Sequence, residues 1–239
     1  VICAGMVGAK QGWQEALYVS VPCKPPVSSD ATPVKAHDAR IAVSILPGVK
    51  QVSPPDVMRG EETQIAGILR ANSEFDGVLC LPGVHTKWVR VSAGEIVSFQ
   101  TFISGEMFAL LAEQSALKPA VSGEALDQVA FMTALSDAMG RPQALAANLF
   151  GIRAAGLVAD MPAEAARARL SGLLIGLELA GAKPYWLGQN VAIVGAGPVS
   201  ELYRAGLAEQ GVPAEVWDVA DLMLAGLSAA YHAQQGAVQ

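Results

Sequence analysis

The chain has 239 residues, of which 52% are hydrophobic and 16% charged, and its formal net charge is −6. This composition excludes an intrinsically disordered chain, and the acidic balance argues against a nucleic-acid-binding surface. Three cysteines, Cys3, Cys23 and Cys80, are widely spaced and form no C-x-x-C pair. We therefore expect free thiols in a reducing cytoplasm rather than disulfides or a metal site.

The chain begins with an apolar segment, VICAGMVG, which predicts a buried strand over residues 1–5. This segment starts without Met and lacks the basic region of a signal peptide. We therefore expect that an N-terminal portion of the natural protein is missing from this chain. A Pro- and Ser-rich segment within residues 22–38 then predicts a loop or lid, followed by a second strand over 41–46.

A helical pattern follows the two prolines of the PPDVMRGEETQIAGILRAN segment, with Ile65, Ile68 and Leu69 on one face. Glu61 and Glu62 lie at the start of this helix, directly after Arg59. Acids in the first turn commonly do no more than stabilise the helix end. In the functional alternative, one carboxylate is a general base for a substrate hydroxyl and Arg59 binds an anionic group.

Three short strands are predicted next, over residues 77–83, 86–92 and 95–103, as an antiparallel meander. The first turn of this meander contains PGVH, and its backbone N–H groups could form an anion-binding nest. The alternative is an ordinary hairpin with a polar tip. A helix is expected after the third strand, with Ser104 as its N-cap.

Residues 122–182 are rich in Ala and Leu and predict several helices, broken at Arg141-Pro142, Gly151 and Met161-Pro162. The longest apolar run, LSGLLIGLELAGA, is interrupted by Glu178 and is too short to span a membrane. We interpret its G-x-x-x-G pair, Gly172 and Gly176, as a site where a soluble helix packs closely on a neighbour.

The C-terminal part predicts a strand over 191–195, a helix over 198–210, a strand over 214–217 and a helix over 219–234. The VGAGP turn, together with Asp218 further along, is typical of an NAD site. However, such a turn normally follows the first strand of its domain, and Ser200 occupies the third glycine position. We therefore expect a nucleotide-binding turn in another fold.

Five stretches, in this order and spacing, resemble the 2-dehydro-3-deoxygalactonokinase family: GMVGAKQGW, VMRGEETQ, LPGVHTKWV, TFISGEMFALL and LSGLLIGLEL. The resemblance implies an α/β, actin-like fold with two ribonuclease H-like domains around a cleft, whose N-terminal strands are missing here. It implies that residues 1–72 are the remainder of the N-terminal domain. Residues 73–225 would be the C-terminal domain with a helical insertion, and 226–239 a helix returning to the first domain.

The resemblance also implies an activity: transfer of the γ-phosphoryl group of ATP to the 6-hydroxyl of 2-dehydro-3-deoxy-galactonate, with Mg²⁺ as cofactor. Glu61 would be the general base, with Glu62 as the alternative. The implied substrate-binding residues are Gly5, Lys10, Trp13, Arg59 and Glu62. The implied phosphate- and nucleotide-binding residues are Gly83, Val84, His85, Thr86, Lys87, Gly195, Ala196 and Gly197.

The sequence departs from the family pattern at two places. The first phosphate loop of the family, which contains an Asp that helps hold Mg²⁺, is absent from this chain, so no metal ligand is named. Val84 stands where the family usually has Thr. The alternatives are a kinase for another acid sugar, a non-catalytic actin-like ATP-binding protein and, last, the NAD protein. The expected partner is a small sugar acid, without nucleic acid or membrane, and a homodimer is left open.

Overall fold

Two small three-stranded sheets form within residues 2–58 of the structure, a computed structural model that describes residues 1–123 and 125–236. The strands are Ile2–Cys3 (β1), Tyr18–Ser20 (β2), Thr32–Val34 (β3), Val43–Ile45 (β4), Gly48–Gln51 (β5) and Asp56–Met58 (β6). They are ordered β1-β4-β3 in one sheet and β2-β5-β6 in the other. Both sheets are mixed, since each contains one parallel and one antiparallel pair.

The first predicted strand is shorter than expected, because Gly5–Gly8 form a 3-10 turn directly after β1. The strand expected over 41–46 is present as β4. The predicted loop over 22–38 contains strand β3, which the sequence analysis missed. Its central residue is Pro33, and a proline is tolerated in a strand at the edge of a sheet, which is where β3 lies.

Helix α1 (Glu61–Ala71) begins immediately after β6. Gly60 makes the abrupt change of direction, because its φ of 117° is a conformation that side-chain-bearing residues rarely adopt. Ile65 and Ile68 are buried and Leu69 is partly buried against the same core, as the periodicity predicted. The helix start therefore holds Glu61 and Glu62 in fixed positions next to β6.

A five-stranded sheet forms from Gly77–Leu81 (β7), Thr86–Ser92 (β8), Glu95–Phe102 (β9), Val191–Val194 (β10) and Ala214–Trp217 (β11). Its order is β11-β10-β7-β8-β9. Strands β7, β8 and β9 are the predicted antiparallel meander, whereas β10 runs parallel to both β7 and β11. Because parallel strands end at the same edge, the turns after β7 and β10 lie side by side.

The remaining helices are Ser104–Gln114 (α2), Gln128–Gly140 (α3), Leu145–Val158 (α4), Ala163–Gly181 (α5), Lys183–Trp186 (α6), Pro198–Glu209 (α7) and Val219–Gly236 (α8). Two local predictions are wrong. Gly151 does not break a helix but lies inside α4, since a single glycine only weakens a helix. Ser104 is the first residue of α2 rather than its N-cap, which is Ile103.

Helices α3 and α5 pack with their backbones in close contact. A Cβ atom at Gly172 would overlap the carbonyl oxygen of Phe131, and one at Gly176 would overlap that of Leu135. The prediction that this glycine pair serves close helix packing is confirmed. Across residues 1–123 and 125–236, none of the helices combines the length and the apolar character that a bilayer span requires.

Helices cover both faces of the five-stranded sheet. On one face, α1 and α8 pack together at Gly67 and Gly226. The apolar cluster beneath these helices contains residues from both sides of position 72, the predicted domain boundary. On the other face, α3, α5 and α7 cover Val78, Cys80 and Trp88. The domain division at residues 72 and 225 stays a prediction, and its last segment extends into 237–239, outside the described residues.

Candidate active site

Two turns meet at the edge of the sheet where β7 and β10 end. Cys80 in β7 is paired with Ile193 in the parallel strand β10. Pro82 and Gly195, each two residues further along, therefore lie side by side. Gly197, with a φ of 74°, ends the second turn and immediately precedes α7. This edge is where α/β proteins commonly bind ligands.

The start of helix α2 contacts the first turn. The N–H of Glu106 donates to the carbonyl of Val84 at 3.0 Å, and its carboxylate lies 2.8 Å from His85 Nε2. Gly105 allows this approach, since a Cβ there would overlap the carbonyl oxygen of Gly83. The N-termini of α2 and α7 thus both lie at these turns, and helix N-termini favour bound anions such as phosphates.

A polar cavity of about 770 Å³ opens on one side of the first turn. It brings together nine of the predicted site residues: Lys10, Arg59, Glu61, Gly83, Val84, His85, Lys87, Gly195 and Ala196. Five other predicted residues do not line it: Gly5, Trp13, Glu62, Thr86 and Gly197. Gly5 lies next to the backbone of Gly60. Trp13 is about half exposed, so Trp13 is not a core residue.

Glu61 presents its carboxylate to this polar cavity. Its Oε1 lies 3.0 Å from the ammonium of Lys87, and its Oε2 accepts the backbone N–H of Arg59 at 3.0 Å. The Lys87 side chain is only 7% exposed, and its ammonium also donates to the carbonyl of His85 at 3.1 Å. Lys87 therefore joins the carboxylate of Glu61 to the backbone of the first turn.

Glu62, the neighbouring acid, has the opposite environment. It is 1% exposed, and both of its carboxyl oxygens accept the N–H of Gly60, at 2.9 and 2.7 Å. Burial raises the pKa of Glu62 to about 8. Because Glu62 faces the core and Glu61 faces the cavity, the geometry favours Glu61 as the general base.

The guanidinium of Arg59 is held against the β2 region. It donates to the carbonyl of Ala16 at 2.9 Å and to the hydroxyl of Tyr18 at 3.3 Å, and it lies over the Tyr18 ring at 4.2 Å. Its remaining nitrogen, Nη1, is buried near Gly8 without a hydrogen-bond partner. Lys10, by contrast, is exposed in the cavity.

Sequence analysis missed four polar residues that line the same cavity: Gln11, Glu15, Tyr18 and Gln64. Gln64 follows Glu61 by three residues on α1, so helical spacing could have indicated it. Glu15 and Tyr18 come from an irregular segment and a short strand, whose folded positions no local pattern predicts.

A second cavity, of about 540 Å³, opens on the other side of the first turn. Both cavities share Pro82, Gly83, Val84 and Ala196. The remaining lining of the second cavity is mostly apolar, formed by Phe108, Ala125, Leu126, Leu174, Ile175, Val199 and Leu202 with Ser104, Ser171, Arg167 and Tyr203. Its cation, Arg167, lies over the Phe108 ring at 4.9 Å.

Within residues 1–123 and 125–236, no three His, Cys, Asp or Glu side chains come together as a metal-binding group. The carboxylates beside the first turn, Glu61 and Glu106, are paired with Lys87 and His85.

The interpretation of the VGAGP turn as an NAD site does not agree with the structure. The sheet contains an antiparallel meander beside its parallel strands. Asp218, the acid that an NAD site would use, instead accepts the backbone N–H groups of Ala220 and Asp221 at 2.8 and 3.1 Å. It caps helix α8, which is a purely structural role.

Comparison with known proteins decides the family. Residues 1–230 match the family described as 2-keto-3-deoxy-galactonokinase. The chain belongs to this family. The family includes proteins named 2-dehydro-3-deoxygalactonokinase, so the resemblance drawn from five sequence motifs is confirmed.

Two curated relatives and one solved structure are similar to most of the chain. A probable 2-dehydro-3-deoxygalactonokinase of Rhizobium meliloti is 41% identical over 98% of this chain and 78% of its own length. The 2-dehydro-3-deoxygalactonokinase of Escherichia coli is 34% identical over 82% of this chain and 66% of its own length. A crystal structure from Sinorhizobium meliloti, provisionally assigned to the same activity, has a TM-score of 0.91 and 38% identity, covering 98% of this chain and 79% of that chain.

Proposed function

We propose that this chain is an ATP-dependent sugar-acid kinase that phosphorylates the 6-hydroxyl of 2-dehydro-3-deoxy-D-galactonate in galactonate catabolism. The observation that carries this proposal is the family match over residues 1–230. The geometry supports it, because two cavities of different character share one glycine-containing turn with two helix N-termini beside it. A phosphoryl group can pass between two substrates only where both reach the same point.

The two cavities suit the two substrates. The apolar cavity beside α7 fits the adenosine of ATP, and the VGAGP turn lies at its edge through Ala196. The polar cavity fits a hydroxylated acid, with exposed Lys10 as the group that binds the substrate carboxylate. Arg59 supports the cavity wall, since two of its nitrogens are already bonded to Ala16 and Tyr18.

The chemical step follows from the position of Glu61. Its carboxylate takes the proton from the 6-hydroxyl as that oxygen forms a bond to the γ-phosphorus, and the bond to ADP breaks. The ion pair with Lys87 holds the carboxylate of Glu61 in position before the reaction. Turn N–H groups near Gly83 and the N-termini of α2 and α7 stabilise the charge that develops on the transferred phosphoryl group.

We extend the proposal to the architecture and the surroundings of the enzyme. Its fold is the actin-like, two-domain fold, which closes over the substrates to exclude water that would compete as acceptor. Mg²⁺ enters with the nucleotide, whose phosphates are its usual ligands in kinases. The enzyme acts in the cytoplasm, where both substrates are present, and a homodimer remains a separate proposal.

The test is a coupled ADP-release assay on the full-length natural protein with ATP, Mg²⁺ and 2-dehydro-3-deoxy-galactonate. We expect turnover that requires the sugar acid and a product phosphorylated at the 6-oxygen. The C4 epimer, 2-dehydro-3-deoxy-gluconate, is the matched competitor. Faster turnover of that epimer would identify a kinase for another acid sugar, and ATP binding without any turnover would identify a non-catalytic protein.

A further inference from the structure

A buried carboxylate lies between the five-stranded sheet and helix α5, at a distance from the proposed base. Glu178 is 1% exposed, and its neighbours include the apolar residues Cys80 and Leu179. The indole N–H of Trp88 donates to Oε1 at 2.9 Å, and the hydroxyl of Tyr203 donates to Oε2 at 2.9 Å. The hydroxyls of Ser104 and Thr86 lie near this carboxylate, and the described residues show no cation paired with it.

The groups around Glu178 come from the segments that surround the apolar cavity. Thr86 follows the first turn, and its hydroxyl lies 3.1 Å from that of Tyr203 on α7. Ser104 is the first residue of α2, the helix that contacts the turn. Ser104 and Tyr203 also line the apolar cavity. One carboxylate therefore joins β8, α2 and α7 to α5.

Packing alone does not account for an acid at this position. Desolvation makes a buried carboxyl costly, and burial raises the pKa of Glu178. An apolar side chain on α5 would fill the same space without that cost. The hydrogen bonds from Trp88 and Tyr203 offset this cost only while both donors stay in place, and Thr86 is held through Tyr203. The carboxylate therefore holds the relative positions of these groups.

We propose that Glu178 is a positioning residue for ATP. It fixes the first turn, the start of α2 and the start of α7 around the apolar cavity, which is the proposed site for the adenosine. The proposal rests on the function given above. It acts through Thr86, Ser104 and Tyr203 rather than by contact with a substrate. Its loss consequently weakens ATP binding and leaves sugar-acid binding, on the other side of the turn, nearly unchanged.

The experiment compares Glu178→Gln with Tyr203→Phe and with the double variant. An amide offers one acceptor oxygen in place of two, so either Trp88 or Tyr203 loses its partner. We expect the Kd and KM for ATP to rise about tenfold to a hundredfold in Glu178→Gln, the range for a lost hydrogen bond to a charged group. The KM for the sugar acid stays within about twofold, and the two substitutions are not additive.

Trp186→Phe is the matched control. Trp186 belongs to the same apolar cluster and donates its indole N–H to the carbonyl of Leu179 on α5 at 2.8 Å, but it lines neither cavity. We expect this control to lower Tm without changing the ratio of the two KM values. A Glu178→Gln variant that loses Tm yet keeps the wild-type Kd for ATP would overturn the proposal, as would an equal rise in both KM values.

Direct calorimetry with ATP separates this inference from the proposed function. If the wild-type protein binds ATP but does not phosphorylate the sugar acid, the proposed function fails, whereas the change in ATP affinity still tests Glu178. If Glu178→Gln does not fold, Tyr203→Phe and Thr86→Val each remove one hydroxyl from the same network. An unchanged ATP affinity in both of those variants would also overturn the proposal.

Discussion

The two cavities on either side of the first turn differ in where they carry charge. The polar cavity contains a partly buried ion pair, Lys87 with Glu61, and an exposed cation, Lys10. The other cavity is lined mainly by apolar side chains, and two of its polar residues, Ser104 and Tyr203, lie next to the buried carboxylate of Glu178. Proton transfer requires an ionisable group at the reacting atom, whereas nucleotide binding relies on backbone N–H groups and apolar surface.

Replacing Glu61 by Gln should impair catalysis in the polar cavity without changing nucleotide binding. The amide keeps the shape of the side chain but cannot accept a proton, so we expect kcat to fall about a hundredfold to ten-thousandfold. ATP affinity, measured by calorimetry, stays within about twofold. Glu106→Gln is the matched control, because Glu106 pairs with His85 at the same turn but is much more exposed. Equal losses in both variants would contradict the assignment of the base.

Replacing Gly105 by Ala tests the nucleotide side. The new methyl group overlaps the carbonyl of Gly83 and moves the start of α2 away from the turn. We expect the KM for ATP to rise about tenfold, with a loss of stability of about 1–3 kcal/mol, as overpacking usually causes. Gly151→Ala, where nothing lies within 4 Å of the added atom, is the control. Unchanged ATP kinetics in Gly105→Ala would show that α2 does not position the turn.

Replacing Lys87 by Met tests the ion pair of the polar cavity. The ammonium of Lys87 lies 3.0 Å from the carboxylate of Glu61 and donates to the carbonyl of His85, so its removal leaves both groups without this partner. We expect kcat/KM to fall about tenfold, the effect of losing one hydrogen bond to a charged group. Lys87→Arg retains the charge and is the control, with a smaller expected loss. Equal losses in the two variants would mean that the ion pair does not hold Glu61 in place.

The smallest expected effect on activity is that of Glu62, whose buried carboxyl lines neither cavity and acts on stability alone. An unperturbed Glu carboxyl has a pKa of 4.5, whereas burial raises the pKa of Glu62 in the folded protein to about 8. As pH rises, Glu62 therefore loses its proton first in the unfolded state. Stability from this group is fully present below pH 4.5 and is lost progressively towards pH 8, at up to about 1.4 kcal/mol per pH unit. Glu62→Gln removes this contribution. In urea denaturation at pH 5, 6.5 and 8, we expect the free energy of unfolding to decline less with pH in the variant than in the wild type. Equal declines in the two proteins would contradict this role of Glu62.

The secondary structure of residues 61–236 was largely predictable, because its signals are local. The meander of β7, β8 and β9 follows from alternating strands and turn residues, and α1 follows from the spacing of Ile65 and Ile68. The close packing at Gly172 and Gly176 also follows from two small residues on one helical face. The strands β2, β3, β5 and β6 were missed, since each has only three or four residues, too few for a clear alternating pattern.

The sequence by itself determined the family and most of the secondary structure after residue 61, because these depend on motifs and periodicity. Tertiary structure decided what each residue faces. It placed Glu61 in a cavity and Glu62 in the core, although they are neighbours with the same side chain. It also joined Glu178 to Thr86 and Tyr203, residues far apart in the chain. Burial and charge pairing arise only when distant segments pack, so no local pattern contains them.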